Sequence, residues 1–277
     1  MDWNVIYYLI YGLFAGLGEL MPVSAPAHAY LIDLMTDLEA MHPFLLMMCH
    51  GMCLLAILIF FRGRISHIIR ETRIASQPIK KRRRQPDMTA VLDAKVILIG
   101  LIPMGIGIIL SSSTYGHFAR LPMLSFVLLI SGIVLYIPQF LPGANKDSRS
   151  LSRKDGIVIA FWSAFGFVPG MSRVGTMISC GLIKGCDKQY ISDLTMLVSV
   201  PALLGLLLVD IIMLMAGNMI LDPTMIVYSV VAAAMAFAGA WLAMVIVRFI
   251  TVKSNFNGFA YYNWGLSLFS FLVYLMI

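Results

Sequence analysis

Met21-Pro22-Val23-Ser24-Ala25-Pro26 interrupts an apolar stretch that starts near residue 3 and resumes through residue 36. The pieces on either side, 3–21 and 24–36, predict two helices broken by a Pro/Ser-containing turn. A full bilayer crossing needs about 20 residues, so the second piece is too short to cross. A break at membrane depth is tolerated only where protein or a water-filled cavity satisfies the freed backbone groups. The pair therefore reads as a re-entrant helical hairpin. The same device recurs at Val168-Pro169-Gly170-Met171-Ser172, between the short apolar pieces 157–168 and 174–186. Pro22 and Pro169 stand 147 residues apart, about half the chain.

Outward from these breaks, the chain is 60% hydrophobic and only 12% charged over 277 residues, with a mean hydropathy of +0.89. So few charges cannot cover the surface of a soluble domain of this size. A secreted globular enzyme, a nucleic-acid-binding module and a disordered chain are excluded. Segments 43–61, 96–110, 123–141, 193–216, 224–247 and 259–277 read as spans, 96–110 being short and extended at its ends. The predicted fold is an all-α polytopic membrane protein with six transmembrane helices and two re-entrant helical hairpins. It is one membrane domain, 1–277, made of a first unit 1–141, a linker 142–156 and a second unit 157–277. Each unit is one broken hairpin plus three spans. An odd number of spans inverts the second unit, giving an inverted-topology repeat with its site at the repeat interface.

Charge position sets the orientation. Eighteen of the 20 Lys and Arg residues fall on one side of this topology, among them the run Lys80-Lys81-Arg82-Arg83-Arg84. Arg120 alone lies opposite, and Arg173 lies inside the membrane. The basic side is expected to be cytoplasmic, with both termini extracytoplasmic. The basic run reads as an orienting loop in preference to an anionic-lipid site. Asp2 and the lack of a basic residue before the first apolar run predict a helix there and not a cleaved leader. Cys49, Cys53, Cys180 and Cys186 have no CxxC spacing and read as small buried hydrophobes.

The informative residues violate the apolar background. Glu19, Ser24 and His28 surround the first break; Ser172, Arg173 and Thr176 surround the second. An ionisable group at a helix centre costs at least about 2.5–3.5 kcal/mol, so it is retained with a partner or a function. The inverted repeat would bring Glu19 to Arg173. One reading is an ion pair pinning the hairpins. The other is an anion site, because a guanidinium fork and helix N-termini both suit phosphate. In it, His28 could move a proton or bond a phosphate oxygen, and Glu19 could hold a metal or position His28. His50 reads as packing, Asp210 as an interfacial residue near a span end, and Asp33 and Asp193 as helix-end residues. No Walker A loop, dinucleotide fingerprint, HExxH or GxSxG occurs.

Leu17-Gly18-Glu19-Leu20-Met21-Pro22-Val23-Ser24-Ala25-Pro26-Ala27-His28 resembles the first signature of the undecaprenyl pyrophosphate phosphatase family. Pro169-Gly170-Met171-Ser172-Arg173-Val174-Gly175 resembles the second, and the hydropathy layout matches across essentially the whole chain. The resemblance implies a hydrolase of the bacterial inner membrane, a bacitracin-resistance type, that removes a phosphate from undecaprenyl pyrophosphate. That reaction recycles the lipid carrier for peptidoglycan synthesis. It further implies a divalent metal ion, Mg or Ca, at Glu19. Glu19, Ser24, His28 and Arg173 would be catalytic, and Ser24, His28, Ser172, Arg173 and Thr176 would bind phosphate. The expected partners are the polyprenyl phosphate or pyrophosphate lipid, the bilayer and a second copy of the chain as a homodimer; no nucleic acid is expected.

Four positions depart from the family pattern. Ala15 stands for a Glu, Ala25 for the Ser proposed as nucleophile, Pro26 for a Thr and Val174 for a Ser. The remaining set still suits phosphate. The leading expectation is a divergent polyprenyl pyrophosphate phosphatase, with His28 as nucleophile or as acid/base to a water. The alternatives are a non-hydrolytic polyprenyl-phosphate transporter or flippase using the same anion site, and a protein acting on another amphiphilic phosphate.

Overall fold

The computed structural model describes residues 3–36, 42–118, 120–141, 146, 150–217, 222–253 and 256–276. Residues 142–145 and 147–149 of linker 142–156 lie outside the described residues, as does Ile277 at the end of span 259–277. Among the described residues every regular element is helical, as the sequence predicts. The first half contains α1 (Trp3–Leu20), α2 (Ala25–Thr36), α3 (Pro43–Phe60), α4 (Arg62–Ser76), α5 (Met88–Phe118) and α6 (Leu121–Tyr136). The second contains α7 (Arg153–Trp162), α8 (Arg173–Ile183), α9 (Lys188–Ala216), α10 (Pro223–Lys253) and α11 (Asn257–Met276).

Among the described residues five helices are long and apolar enough to cross a membrane: α3, α5, α6 with its continuation to Phe140, α9 and α10. α11 has 20 residues, but Asn257, Tyr261, Tyr262 and Asn263 dilute its first half, and it does not join that group. The protein is thus a polytopic helical membrane protein. The short segment read at 96–110 is the middle of the 31-residue α5. Large apolar side chains such as Leu58, Ile102, Phe126, Leu208, Val245 and Leu272 point outward, which suits acyl chains and not water.

Both sequence breaks are helix ends. At the first, α1 stops at Leu20 and the Ser24 hydroxyl caps α2 by accepting from Ala27 N–H at 3.4 Å. At the second, a 3₁₀ turn over Ser163–Phe167 follows α7, and Ser172 caps α8 by accepting from Gly175 N–H at 3.0 Å. Gly170 turns the chain there at φ 97°, a left-handed conformation that a side chain disfavours.

The helices pack in an exchanged pattern. α1 lies along α10 while α7 lies along α5; α3 faces α9, and α6 faces α11. The α1–α10 seam is close because small residues meet there. A Cβ at Gly16 would stand 2.1 Å from the Ala236 carbonyl oxygen, closer than any atom can sit.

Charged residues gather at one end of the bundle. Arg64 donates to Asp93 at 2.9 Å, and the Tyr190 hydroxyl donates to the same carboxylate at 3.0 Å. Arg248 donates to Asp193 at 3.2 and 3.3 Å and lies 4.8 and 4.9 Å from the ring centres of Phe60 and Phe61. This network ties α4, α5, α9 and α10 together, so Asp193 is a bonding residue and more than a helix end.

Candidate active site

The two breaks meet. Gly170 N–H donates to the Ser24 hydroxyl at 3.1 Å, and the Ser172 hydroxyl donates to the Met21 carbonyl at 3.3 Å. Each capping serine thereby bonds the backbone of the opposite turn. Gly166 lets the second hairpin close on itself, since a Cβ there would lie 2.1 Å from Arg173 Cα. Arg173, the first residue of α8, is carried to the last turn of α1. Its Nη2 donates to Glu19 Oε2 at 2.9 Å and to the Glu19 carbonyl at 3.3 Å. The ion pair foreseen between the two motifs is present, and both side chains are almost fully buried.

Beside the pair lies a cavity of about 380 Å³. Glu19, Arg173, His50 and Asp210 line it, in walls otherwise largely apolar. Ala25 and Pro26, which begin α2, and Arg173, which begins α8, all reach it, so two helix starts border the same space. Ala15 lines it too, so three of the four departures make its wall apolar where the family pattern is polar; Val174 is buried and is not among the lining residues.

The other predicted residues stand back from this space. Ser24 and Ser172 serve as caps and cross-links, and Thr176 donates its hydroxyl proton to the Arg173 carbonyl at 2.9 Å. His28 lines a separate cavity of about 360 Å³, with Phe14 and Tyr262. Its Nδ1 must donate to the Ser24 carbonyl at 2.7 Å, because a carbonyl only accepts. In the neutral ring, Nε2 then accepts from the Tyr262 hydroxyl at 2.6 Å. The imidazole also stacks on both neighbouring rings, 5.4 Å from Phe14 and 5.7 Å from Tyr262.

Two residues read otherwise from the sequence join the charged pair. His50 Nδ1 donates to Asp210 Oδ2 at 2.6 Å, and His50 Nε2 stands 3.8 Å from Glu19 Oε1. Asp210 is buried and bonded to His50. The 160-residue gap between His50 and Asp210 leaves no local motif to find. The available signal was that both are ionisable groups inside apolar spans.

Among the described residues no group of three or more His, Cys, Asp or Glu side chains is placed to hold a metal ion. The Glu19 carboxylate is already bonded to Arg173, and its expected companion is Ala15. The donor set does not fit a preformed metal centre.

Fold and site together define a polytopic membrane protein with a charged cluster buried where two broken hairpins meet. The family model described as "Bacitracin resistance protein BacA" matches residues 8–269, and the chain belongs to that family. This bears out the resemblance carried by the two motifs. The chain is 28% identical over 276 residues to an "Undecaprenyl-diphosphatase" of Methanobrevibacter smithii, covering 97% of each chain. It is 29% identical over 270 residues to a protein of the same description from Thermosipho melanesiensis, covering 96% of this chain and 98% of that one. An "Undecaprenyl-diphosphatase 1" of Bacillus cereus is 28% identical over 263 residues, covering 94% of each.

Proposed function

We propose that the protein is a polyprenyl-diphosphate phosphatase of the undecaprenyl type. It splits the bond between the two phosphates, releases inorganic phosphate and leaves the monophosphate carrier in the membrane. The observation that carries this reading is Arg173, seated at the start of α8 in a largely apolar cavity and held ready by Glu19. The diphosphate draws the guanidinium fork away from Glu19, and the α2 and α8 starts add their positive dipole ends. Charge building on the terminal phosphoryl oxygens is stabilised by the same groups. Apolar wall residues such as Leu206 and Val209 suit the prenyl chain. Ser24, Ser172 and Thr176 hold the hairpin turns so that Arg173 keeps its position.

Ala25 supplies no nucleophilic hydroxyl, so water is the attacking group. The divalent ion suggested by the resemblance enters this proposal only as a companion of the diphosphate, and no step depends on it. The relatives named above are diphosphatases by description, and nothing in the comparisons supports the non-hydrolytic transporter.

The same proposal sets the protein in the bacterial inner membrane with the Arg64–Arg248 end cytoplasmic. It makes α11 the sixth span and α1–α2 and α7–α8 the re-entrant hairpins. At 12 and 11 residues, α2 and α8 are too short to cross. The exchanged packing supports an inverted repeat, since the hairpin of each half lies on the second long helix of the other. The direct experiment measures phosphate released from undecaprenyl pyrophosphate by purified protein, with and without divalent metal, beside Glu19→Gln. Hydrolysis by wild type supports the proposal; its absence under both conditions defeats it.

A further inference from the structure

We propose that His50, oriented by Asp210, is the proton acceptor for the water that attacks the diphosphate. The inference rests on the phosphatase reading and assigns its proton transfer to residues outside both motifs. A carboxylate can only accept, so the short Asp210 contact fixes the proton on Nδ1 and leaves the lone pair of the neutral ring on Nε2. Nε2 faces Glu19 at 3.8 Å, beyond direct hydrogen bonding, on the wall of the cavity that Arg173 lines. By contrast, both nitrogens of His28 are bonded within a different cavity.

In the step, the water oxygen bonds to the terminal phosphorus while the bond from that phosphorus to the bridging oxygen breaks. The electron pair leaves on the polyprenyl monophosphate, and the water proton moves to His50 Nε2. The imidazolium then faces the carboxylates of Asp210 on α9 and Glu19 on α1, which stabilise it. Arg173 on α8, turned to the phosphate, opposes it less, and the Cys49 and Cys53 thiols of α3 and the Tyr11 phenol of α1 complete the titratable surroundings. The proton passes on to solvent or to the departing inorganic phosphate.

The test is the pH dependence of hydrolysis of undecaprenyl pyrophosphate by purified wild type, His50→Gln, Asp210→Asn and His28→Gln, each checked for a monodisperse folded state. Wild type is expected to lose rate toward acid pH as His50 takes up a proton. His50→Gln is expected to lower kcat by about 10²–10⁴-fold, with KM changed far less, and to flatten the acid limb. Asp210→Asn keeps the imidazole but lets an amide donate to Nδ1, shifting the proton to Nε2. It is expected to lower kcat in the same direction, and it decides the matter if His50→Gln does not fold. Wild-type hydrolysis whose acid limb survives in His50→Gln, or in Asp210→Asn at unchanged kcat, overturns the assignment of His50 and leaves the phosphatase reading standing. No hydrolysis by wild type overturns both.

Discussion

The Ser24 hydroxyl accepts from Gly170 N–H at 3.1 Å across the two broken hairpins, joining residues 146 positions apart. The same oxygen caps α2, so one hydroxyl closes a helix end and a tertiary contact. Ser24→Ala therefore removes a cap, typically worth about 0.5–2 kcal/mol, and strands the Gly170 N–H in a buried setting at about 1–3 kcal/mol. The variant is expected to lower the thermal unfolding midpoint in detergent, and Ser24→Thr to restore part of it. A midpoint equal to wild type in Ser24→Ala would show that the cross-link contributes nothing.

Arg173 is the guanidinium of the central cavity, and its loss leaves Glu19 buried without its cation. Arg173→Ala is expected to abolish turnover and weaken lipid-phosphate binding. Arg173→Lys is expected to recover only part, since an ammonium cannot offer a planar fork. Isothermal titration with a polyprenyl phosphate, alongside turnover, separates binding from chemistry. Undiminished binding in Arg173→Ala places phosphate recognition elsewhere.

Outside the spans, two bonds from Arg84 at 2.8 and 2.5 Å, then the Asp87 N–H at 3.0 Å, hold the Glu71 carboxyl down from 4.5 to about 2. A depressed carboxylate stabilises the fold above its unfolded pKa and loses that contribution as pH falls through its folded value. The contacts between α4 and the segment before α5 are expected to loosen between about pH 4.5 and about pH 2. Glu71→Gln is expected to show the looser state already at pH 7. Amide hydrogen exchange across residues 71–87 reads both, and a wild-type profile in Glu71→Gln counts against the clamp.

Orientation is checked by single cysteines in an otherwise cysteine-free protein. Lys80 and Asp222 are both exposed, and the proposed topology sets them on opposite faces. A cysteine at 222 is expected to react with a membrane-impermeant reagent in intact cells and a cysteine at 80 is not. The reverse pattern inverts the topology.

Much of this arrangement was legible in the chain. The Pro/Ser interruptions gave both helix ends, because proline and a capping hydroxyl act within a few residues. The Glu19–Arg173 pair followed from the cost of leaving either charge alone in an apolar medium. His50 and Asp210 look like bystanders in the chain, since packing of α3 against α9 brings them together and no local spacing records it. The motif around His28 marks it as a catalytic candidate. Its orientation depends on Tyr262, 234 residues away, which contributes a hydroxyl that no local pattern announces.

Gly18 and Val23 line the charged cavity and the one that holds His28, so a septum one residue thick divides two compartments of similar size. Gly18 can gain no side chain, since a Cβ there would meet Ala25 Cα at 2.7 Å, and the partition is left to the isopropyl group of Val23. That branched side chain acts as a bulkhead. With it in place, the space beside Arg173 and the aromatic chamber around His28 stay apart; Val23→Ala is expected to join them.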